Sequence, residues 1–201
     1  MDIYYKVGLT RGLDVTSKKN INLITSRGCP AKCSFCTIST VWGKKFRSRS
    51  SENVLAELEQ IKNQFGAKHV QFEDDNLTFD IPRSQELFKG MIDKKLNLKW
   101  DTPNGVALWR MDKPTLKLMK EAGCYSVTFA VESGSQRVLS EVINKPQNLE
   151  KMVPLIDYAR KIGLKVGSFF VVGFPHETKA EIEETFKFPY KTKLDAININ
   201  R

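Results

Sequence analysis

The chain has 201 residues, of which 41% are hydrophobic and 27% charged, a size and balance that fit one soluble globular domain, alone or with a short tail. They exclude a disordered chain. They also exclude a disulfide scaffold, because the chain has only four cysteines and is long enough to bury about 70% of its extended surface. The net charge of +9 comes from scattered lysines without an arginine-rich run, so nucleic-acid binding is not indicated.

No stretch of about 18 apolar residues occurs, and the first residues lack the apolar centre and cleavage site of a secretory signal. We therefore expect no membrane partner and a cytoplasmic location. In that reducing compartment the cysteines are free for chemistry.

Short β-rich runs alternate with longer amphipathic stretches along the chain. Six strands are predicted, at 21–26, 69–74, 98–105, 126–133, 165–173 and 196–200. Helical stretches are predicted between them, at 50–66, 83–96, 112–123, 179–192 and, between the fourth and fifth strands, at 135–143 with 148–163. This alternation predicts an α/β fold of parallel strands and right-handed crossovers, with functional groups at the carboxyl ends of the strands. We predict a partial TIM-type (β/α)6 barrel, with a doubly wound open sheet as the alternative.

Residues 1–20 are predicted to be an N-terminal extension and residues 21–201 the core domain. The sequence ends at Arg201, directly after the sixth predicted strand, with no helix to cover the outer face of that strand. Complete proteins avoid such an uncovered parallel edge. We therefore expect the core to be truncated after the sixth strand, with more polypeptide following it.

Three cysteines, Cys29, Cys33 and Cys36, lie within eight residues directly after the first predicted strand. Their spacing would also put them on one face of a helix, as small buried residues of the core. Gly28 and Pro30 instead favour a loop. Thiolates grouped in a loop in a reducing compartment usually hold a metal.

Zinc and an iron–sulfur cluster are the two metal hypotheses. A structural zinc site takes four ligands, whereas His69 and His176 are far away in sequence and Cys124 is more consistent with a core residue. A [4Fe–4S] cluster takes one thiolate per iron, so three cysteines would leave one iron open to another ligand.

The Cys-x3-Cys-x2-Cys spacing, with Phe35 just before the last cysteine, resembles the motif of the radical S-adenosylmethionine (SAM) superfamily. The resemblance implies a [4Fe–4S] cluster on the three cysteines and SAM chelated at the open iron. It further implies reductive cleavage of SAM to a 5′-deoxyadenosyl radical that abstracts hydrogen from a substrate. Phe35 would lie along the adenine, and an electron donor such as flavodoxin or ferredoxin would act as partner.

The second predicted strand ends in three adjacent acids, Glu73, Asp74 and Asp75. Such acids repel one another unless they meet a cation, a donor or water, and an exposed acidic turn is the simpler explanation. The resemblance implies that one of them binds the SAM amino group. Asn104, in the Pro-Asn-Gly sequence after the third strand, is a weaker candidate for contact with SAM because this sequence is also a good turn.

The fourth predicted strand ends at Glu132 and Ser133, and Lys145 follows further along. The resemblance implies that this strand contacts the ribose of SAM and that Lys145 pairs with the SAM carboxylate. A glutamate that accepts from the two ribose hydroxyls and a lysine as counter-charge fit those roles. A solvated lysine is the alternative for Lys145.

Gly173 and Phe174 end the fifth predicted strand and resemble the adenine-contacting strand of the superfamily. A glycine there lets the backbone approach the base. His176 is a departure, because a glycine usually occupies its place in the relatives. We expect a turn residue there rather than a catalytic one.

The motifs together are similar to the branch that often carries an upstream cobalamin-binding domain, and also to the methylthiotransferases. Residues 1–20 are too short for a cobalamin module, so cobalamin is expected only in the full-length protein. The first hypothesis is a radical SAM enzyme of unknown substrate, with methyl transfer or cyclisation as candidate reactions. The others are a methylthiotransferase for tRNA or protein, and a non-enzymatic zinc or iron–sulfur module.

Overall fold

The computed structural model describes residues 19–201, so most of the predicted extension over 1–20 lies outside the described residues. The strands in chain order are β1 (Asn20–Leu23), β2 (Ser26–Arg27), β3 (Arg47–Ser48), β4 (His69–Phe72), β5 (Lys99–Val106), β6 (Cys124–Glu132), β7 (Lys165–Val171) and β8 (Ala196–Asn200). Six of them form one parallel sheet in the order β1-β4-β5-β6-β7-β8. The two short strands β2 and β3 pair antiparallel beside it.

Six α-helices are described, namely α1 (Ile38–Val41), α2 (Ser51–Phe65), α3 (Ile81–Asp93), α4 (Lys113–Glu121), α5 (Leu149–Lys161) and α6 (Lys179–Thr192). A helix separates each strand of the large sheet from the next, which confirms the predicted α/β partial barrel. Among residues 19–201, none of the helices combines the length and the apolar character needed to cross a bilayer.

The helix starts follow from side chains that accept hydrogen bonds from the first turn. Asp80 accepts from the Arg83 N–H at 3.2 Å, and Asp112 accepts from the Thr115 N–H at 2.7 Å. Thr178 forms a reciprocal capping box with Glu181. These bonds satisfy N–H groups that have no partner within the helix, so each helix begins at a defined residue.

The main core lies between the sheet and the helices. Trp100 of β5 is fully buried, with its ring edge-on to Phe72 and stacked on Phe88 of α3, at centroid distances of 5.2 Å in both cases. Its indole N–H donates to the Ala122 carbonyl at 3.0 Å. The apolar core thus fixes the helical layer against the strands whose ends carry the site.

A buried polar chain lies near the amino ends of the strands, away from the predicted site. Asn20 contacts His69 Nδ1 through its Oδ1 at 2.8 Å and donates from Nδ2 to Gln71 at 2.9 Å. Gln71 in turn donates to Asp101 at 3.2 Å. Burial lowers the pKa of His69 to about 4, with the nearby Lys99 charge adding to the effect, and burial raises the pKa of Asp101 to about 6.

Two predicted elements differ from the structure. The first of the two helical stretches predicted within 135–163 is a π-helical turn, Val138–Val142, and the chain between this turn and α5 contains Asn144 at φ +56° and Pro146. Both residues oppose a regular helix. The predicted first strand also ends early, at Leu23. The sequence analysis did not predict α1 or the β2–β3 pair.

Candidate functional site

A cavity of about 750 Å³ opens at the carboxyl edge of the sheet. This volume is within the range of about 300–1,000 Å³ that is usual for small-molecule and cofactor sites. The predicted site residues among its lining residues are Cys29, Cys33, Phe35, Cys36, Asp75, Asn104, Glu132 and Lys145. Residues from four separate parts of the chain therefore meet in one concave site.

Gly28 allows the cysteine loop to leave β2 close to a neighbouring backbone. Its φ is +86°, and a Cβ at this position would lie 2.5 Å from the Lys45 carbonyl oxygen. Its N–H donates to Asp75 Oδ2 at 3.0 Å. Any side chain here would both clash and strain the backbone, so glycine sets the path of the loop.

Asp74 fixes the start of the cysteine loop through hydrogen bonds. Its carboxylate accepts from the Thr25 N–H at 3.1 Å, from the Thr25 hydroxyl at 2.7 Å and from the Ser26 hydroxyl. Burial raises the pKa of Asp74, and these hydrogen bonds act in the opposite direction. Asp74 therefore positions the loop and is not among the residues that line the cavity, and its contact with SAM stays a prediction.

The far side of the cysteine loop is attached to the π-helical turn. The Ser34 N–H donates to the Ile143 carbonyl at 2.8 Å, and the Ser34 hydroxyl donates to the Val142 carbonyl at 3.0 Å. Cys33 packs against a small cluster of buried residues that includes Val138 and Leu139. Since π-turns often occur at functional sites, the irregularity has a clear use here, which is to hold this loop.

All three cysteines of the loop are free and partly exposed. Burial raises the pKa of the Cys29 and Cys33 thiols, while the positive charge of Lys145 lowers both. Asn76 also lowers the pKa of Cys29, and its buried Nδ2 has no hydrogen-bond partner in the described residues.

The thiols of the loop fit a [4Fe–4S] cluster. Cys29, Cys33 and Cys36 are free, partly exposed and line one cavity, and a cluster takes one thiolate for each of three irons. In the part of the chain that the structure describes, no three side chains of histidine, cysteine, aspartate or glutamate are grouped as ligands of one ion.

Glu132 and Lys145 form a buried ion pair at the cavity. Lys145 Nζ lies 2.7 Å from Glu132 Oε1, and the two side chains are only 5% and 9% exposed, for Lys145 and Glu132 respectively. Glu132 follows a register shift in the β6–β7 ladder and has a φ of +72°. The pairing differs from the expected separate roles toward ribose and carboxylate, and those two roles stay predictions.

The Pro-Asn-Gly sequence forms part of β5 instead of a turn after it. The β5–β6 register shifts between Thr102 and Val106, and the intervening residues bulge out of the ladder. Asn104 lines the cavity there and donates from Nδ2 to the Glu73 carbonyl at 2.8 Å. The Glu73 side chain is not among the cavity-lining groups, so Asp75 is the acid of this strand end that faces the cavity.

The end of β7 lies beside Phe35. The Phe35 and Phe174 rings are 5.6 Å apart and tilted, while Gly173 has a φ of +87° and donates its N–H to Glu177 at 2.6 Å. His176 adopts φ +68°, a conformation that favours glycine. The turn expected at His176 is therefore present.

Ser133 is fully buried behind the sheet end rather than in the cavity. Its hydroxyl lies 3.1 Å from the Thr185 hydroxyl of α6 and accepts from the Ser135 N–H at 3.1 Å. Both of these partners belong to the fold, and the cofactor contact of Ser133 stays a prediction.

Two of the cavity residues that were not predicted are Trp109 and Phe169. Trp109 lines the wall beside Lys145, and Phe169 projects from β7, while Asn76, which follows the three acids, lines the wall beside Cys29. The Lys145 ammonium lies 5.7 Å from the Trp109 ring centroid. The alternation of inward and outward residues along β7 could have identified Phe169, whereas nothing local in the sequence marks Trp109.

Comparison with known proteins identifies the family. The model of the radical SAM superfamily matches residues 23–188. The chain belongs to this superfamily. Membership implies a [4Fe–4S] cluster and SAM as cofactors and identifies the chain as the core of a radical SAM enzyme.

Two curated relatives are methyltransferases by name. The cytidylyl-2-hydroxyethylphosphonate methyltransferase of Streptomyces wedmorensis is 44% identical over 87% of this chain and 32% of the relative. An uncharacterised methyltransferase of Pyrococcus horikoshii is 35% identical over 86% of this chain and 37% of the relative. The chain thus spans about a third of the length of these relatives.

Solved structures support the same fold. The radical SAM methyltransferase TsrM from Kitasatospora setae, solved with cobalamin and a [4Fe–4S] cluster, matches with a TM-score of 0.84 at 17% identity, over 99% of this chain and 37% of that one. Methylornithine synthase matches with a TM-score of 0.65 at 18% identity, over 90% of this chain and 52% of that one.

Proposed function

We propose that the full-length protein is a cobalamin-assisted radical SAM methyltransferase whose SAM and cluster occupy the cavity at the carboxyl edge of the sheet. The observation that carries the proposal is the convergence of Cys29, Cys33, Cys36, Asp75 and the Glu132–Lys145 pair on that one cavity. The names of the two relatives support methyl transfer, and the TsrM structure with bound cobalamin supports cobalamin as a further cofactor.

When bound, the cluster supplies one electron and SAM supplies the methyl group and the radical. The three cysteines would hold three irons of the cluster. Phe35 and Phe174 would provide an apolar wall for the adenine and exclude water from it. A small organic molecule is the proposed substrate class, and a one-electron reductant is required.

Asp75 and the Glu132–Lys145 pair would orient SAM through charge. Asp75 lines the cavity and can accept from the SAM amino group with the oxygen that does not bind Gly28. Lys145 carries the only ammonium of the described cavity wall that is buried, so it can attract a carboxylate strongly when Glu132 turns to the ribose hydroxyls. These assignments predict a change of partners on SAM binding.

Anaerobic reconstitution with iron and sulfide tests the proposal. We expect about four irons per chain and broad visible absorption, both lost in the Cys29→Ala/Cys33→Ala/Cys36→Ala triple variant. Glu132→Gln should weaken SAM binding and leave the iron content intact, whereas Glu183→Gln on the outer face of α6 should change neither. A single zinc ion, or no metal, in the anaerobically prepared wild type would contradict the proposal.

The reaction product distinguishes methyl transfer from methylthiolation. Mass spectrometry of the products of the full-length protein should show a gain of one methyl group and no sulfur. A gain of a methylthio group would instead identify a methylthiotransferase, the activity named for more distant relatives such as a putative one in Methanocaldococcus jannaschii.

A further inference from the structure

One segment of the chain is strongly and uniformly basic. Residues 27–49 contain six lysines and arginines and no aspartate or glutamate. Five of the six are exposed, and we call these five the basic collar: Arg27, Lys32, Lys44, Lys45 and Arg47. The collar is spread along the sequence among uncharged residues, so it does not stand out as a charge run.

The fold brings three members of the collar, Arg27, Lys45 and Arg47, close together. The β2–β3 pair puts Arg27 directly opposite Arg47. The Arg27 guanidinium lies over the Trp42 ring at 5.0 Å, and Arg47 donates to the Trp42 carbonyl at 2.9 Å. Lys45 is held next to Gly28 by the close backbone approach described above. Like charges are therefore brought together instead of being dispersed.

The collar has no internal counter-charge. Within residues 19–201 no acidic side chain lies within ion-pair distance of any of its five members, whereas the sixth basic residue, Arg49, pairs with Glu57. Uncompensated like charge disfavours the compact state, and the field it creates attracts anionic partners. A surface of this kind steers an acidic protein into contact.

An exposed apolar side chain lies within the same segment. Val41 of α1 is 62% exposed. An apolar centre with a polar or charged rim is the usual anatomy of a protein–protein interface. The combination favours a folded protein partner over a free small anion.

The collar also adjoins the three cysteines, because its members Lys32 and Lys44 line the same cavity as these cysteines. We propose that the basic collar docks an acidic one-electron carrier protein, which places its redox group beside the cluster loop. The proposal rests on the proposed function, because it needs a cluster on those cysteines. In the step concerned the carrier loses one electron and the cluster gains it, and no bond forms or breaks.

Charge reversal at two collar residues outside the cavity lining tests this. Lys45→Glu/Arg47→Glu is compared with Lys187→Glu/Lys191→Glu, which makes the same change of charge at the carboxyl end of α6, away from the loop. The reconstituted proteins are mixed anaerobically with reduced flavodoxin as the probe, and loss of the visible absorption of the cluster is followed at low and high ionic strength.

We expect the collar variant to be reduced by flavodoxin at least about tenfold more slowly at low ionic strength, with the difference shrinking as salt is added. The α6 variant should react like the wild type. Reduction by dithionite, a small reductant that needs no docking, should be equal in all three. The single variant Lys45→Glu, which keeps the Arg47 hydrogen bond, should give a smaller effect of the same sign.

Equal flavodoxin rates in the wild type and both collar variants would overturn the proposal, even if dithionite still drives SAM cleavage and so upholds the proposed function. Salt-sensitive RNA binding that is lost in the collar variant, together with unchanged flavodoxin rates, would also overturn it and assign the surface to nucleic acid. Failure of the wild type to take up a cluster would instead refute the proposed function itself.

Discussion

The buried ion pair at the cavity gives a sharp energetic prediction. Replacing Lys145 with methionine keeps most of the volume of the side chain but leaves Glu132 charged, 9% exposed and without its 2.7 Å partner. Removing one partner of a buried pair costs about 3–5 kcal/mol. That is a large share of the total of about 5–15 kcal/mol that usually holds a domain together, so Lys145→Met should clearly lower the urea midpoint of the apo protein.

The double variant Lys145→Met/Glu132→Gln removes the stranded charge. We expect its loss of unfolding free energy to fall short of the sum of the two single losses by about 1–3 kcal/mol. Urea titrations under reducing conditions, followed by tryptophan fluorescence, measure all four corners of the cycle, and Trp109 reports directly on Lys145. Lys187→Met, at an exposed surface pair, should change stability by less than about 1 kcal/mol. If the losses of unfolding free energy in the two single variants simply add up in the double variant, the interaction between Lys145 and Glu132 is refuted.

Three further predictions concern individual residues. His176→Gly relieves a left-handed backbone, so the melting temperature should rise, by the equivalent of about 1 kcal/mol, and a fall would mean that the imidazole has a role. Asp101 has its pKa raised to about 6, so it stabilises the fold at low pH and loses that contribution as pH rises from about 4 to 6. In Asp101→Asn the measured stability should therefore rise more steeply over this range than in the wild type, and parallel curves would exclude the assignment. Asn76→Ala removes an amide next to Cys29, so the reduction potential of the reconstituted cluster should become more negative. A redox titration measures this potential. An unchanged potential would show that the amide does not face the sulfur.

The strand and helix order could be predicted from the sequence because it depends on local periodicity and local caps. Gly28 and Pro30 likewise favoured a loop around the cysteines, and the resemblance of their spacing to the radical SAM motif implied the cluster chemistry. The sequence predicted a helical stretch at 135–143 but not its π-helical form. In the fold, the carbonyls of Val142 and Ile143 accept hydrogen bonds from Ser34, a contact between distant parts of the chain that no local pattern shows.

Among the site residues, too, some features could be predicted from the sequence and others depend on the fold. The sequence identified three adjacent acids as candidates for the site. Only the folded chain distinguishes Asp75, which lines the cavity, from Asp74, which lies under the cysteine loop. The reason is that the direction of each side chain depends on the backbone after β4. The Glu132–Lys145 pair and the gathering of the basic collar are likewise decided by tertiary structure. Local patterns determine which residues can form strands, helices and ligand loops, whereas contacts between distant residues depend on how those elements pack.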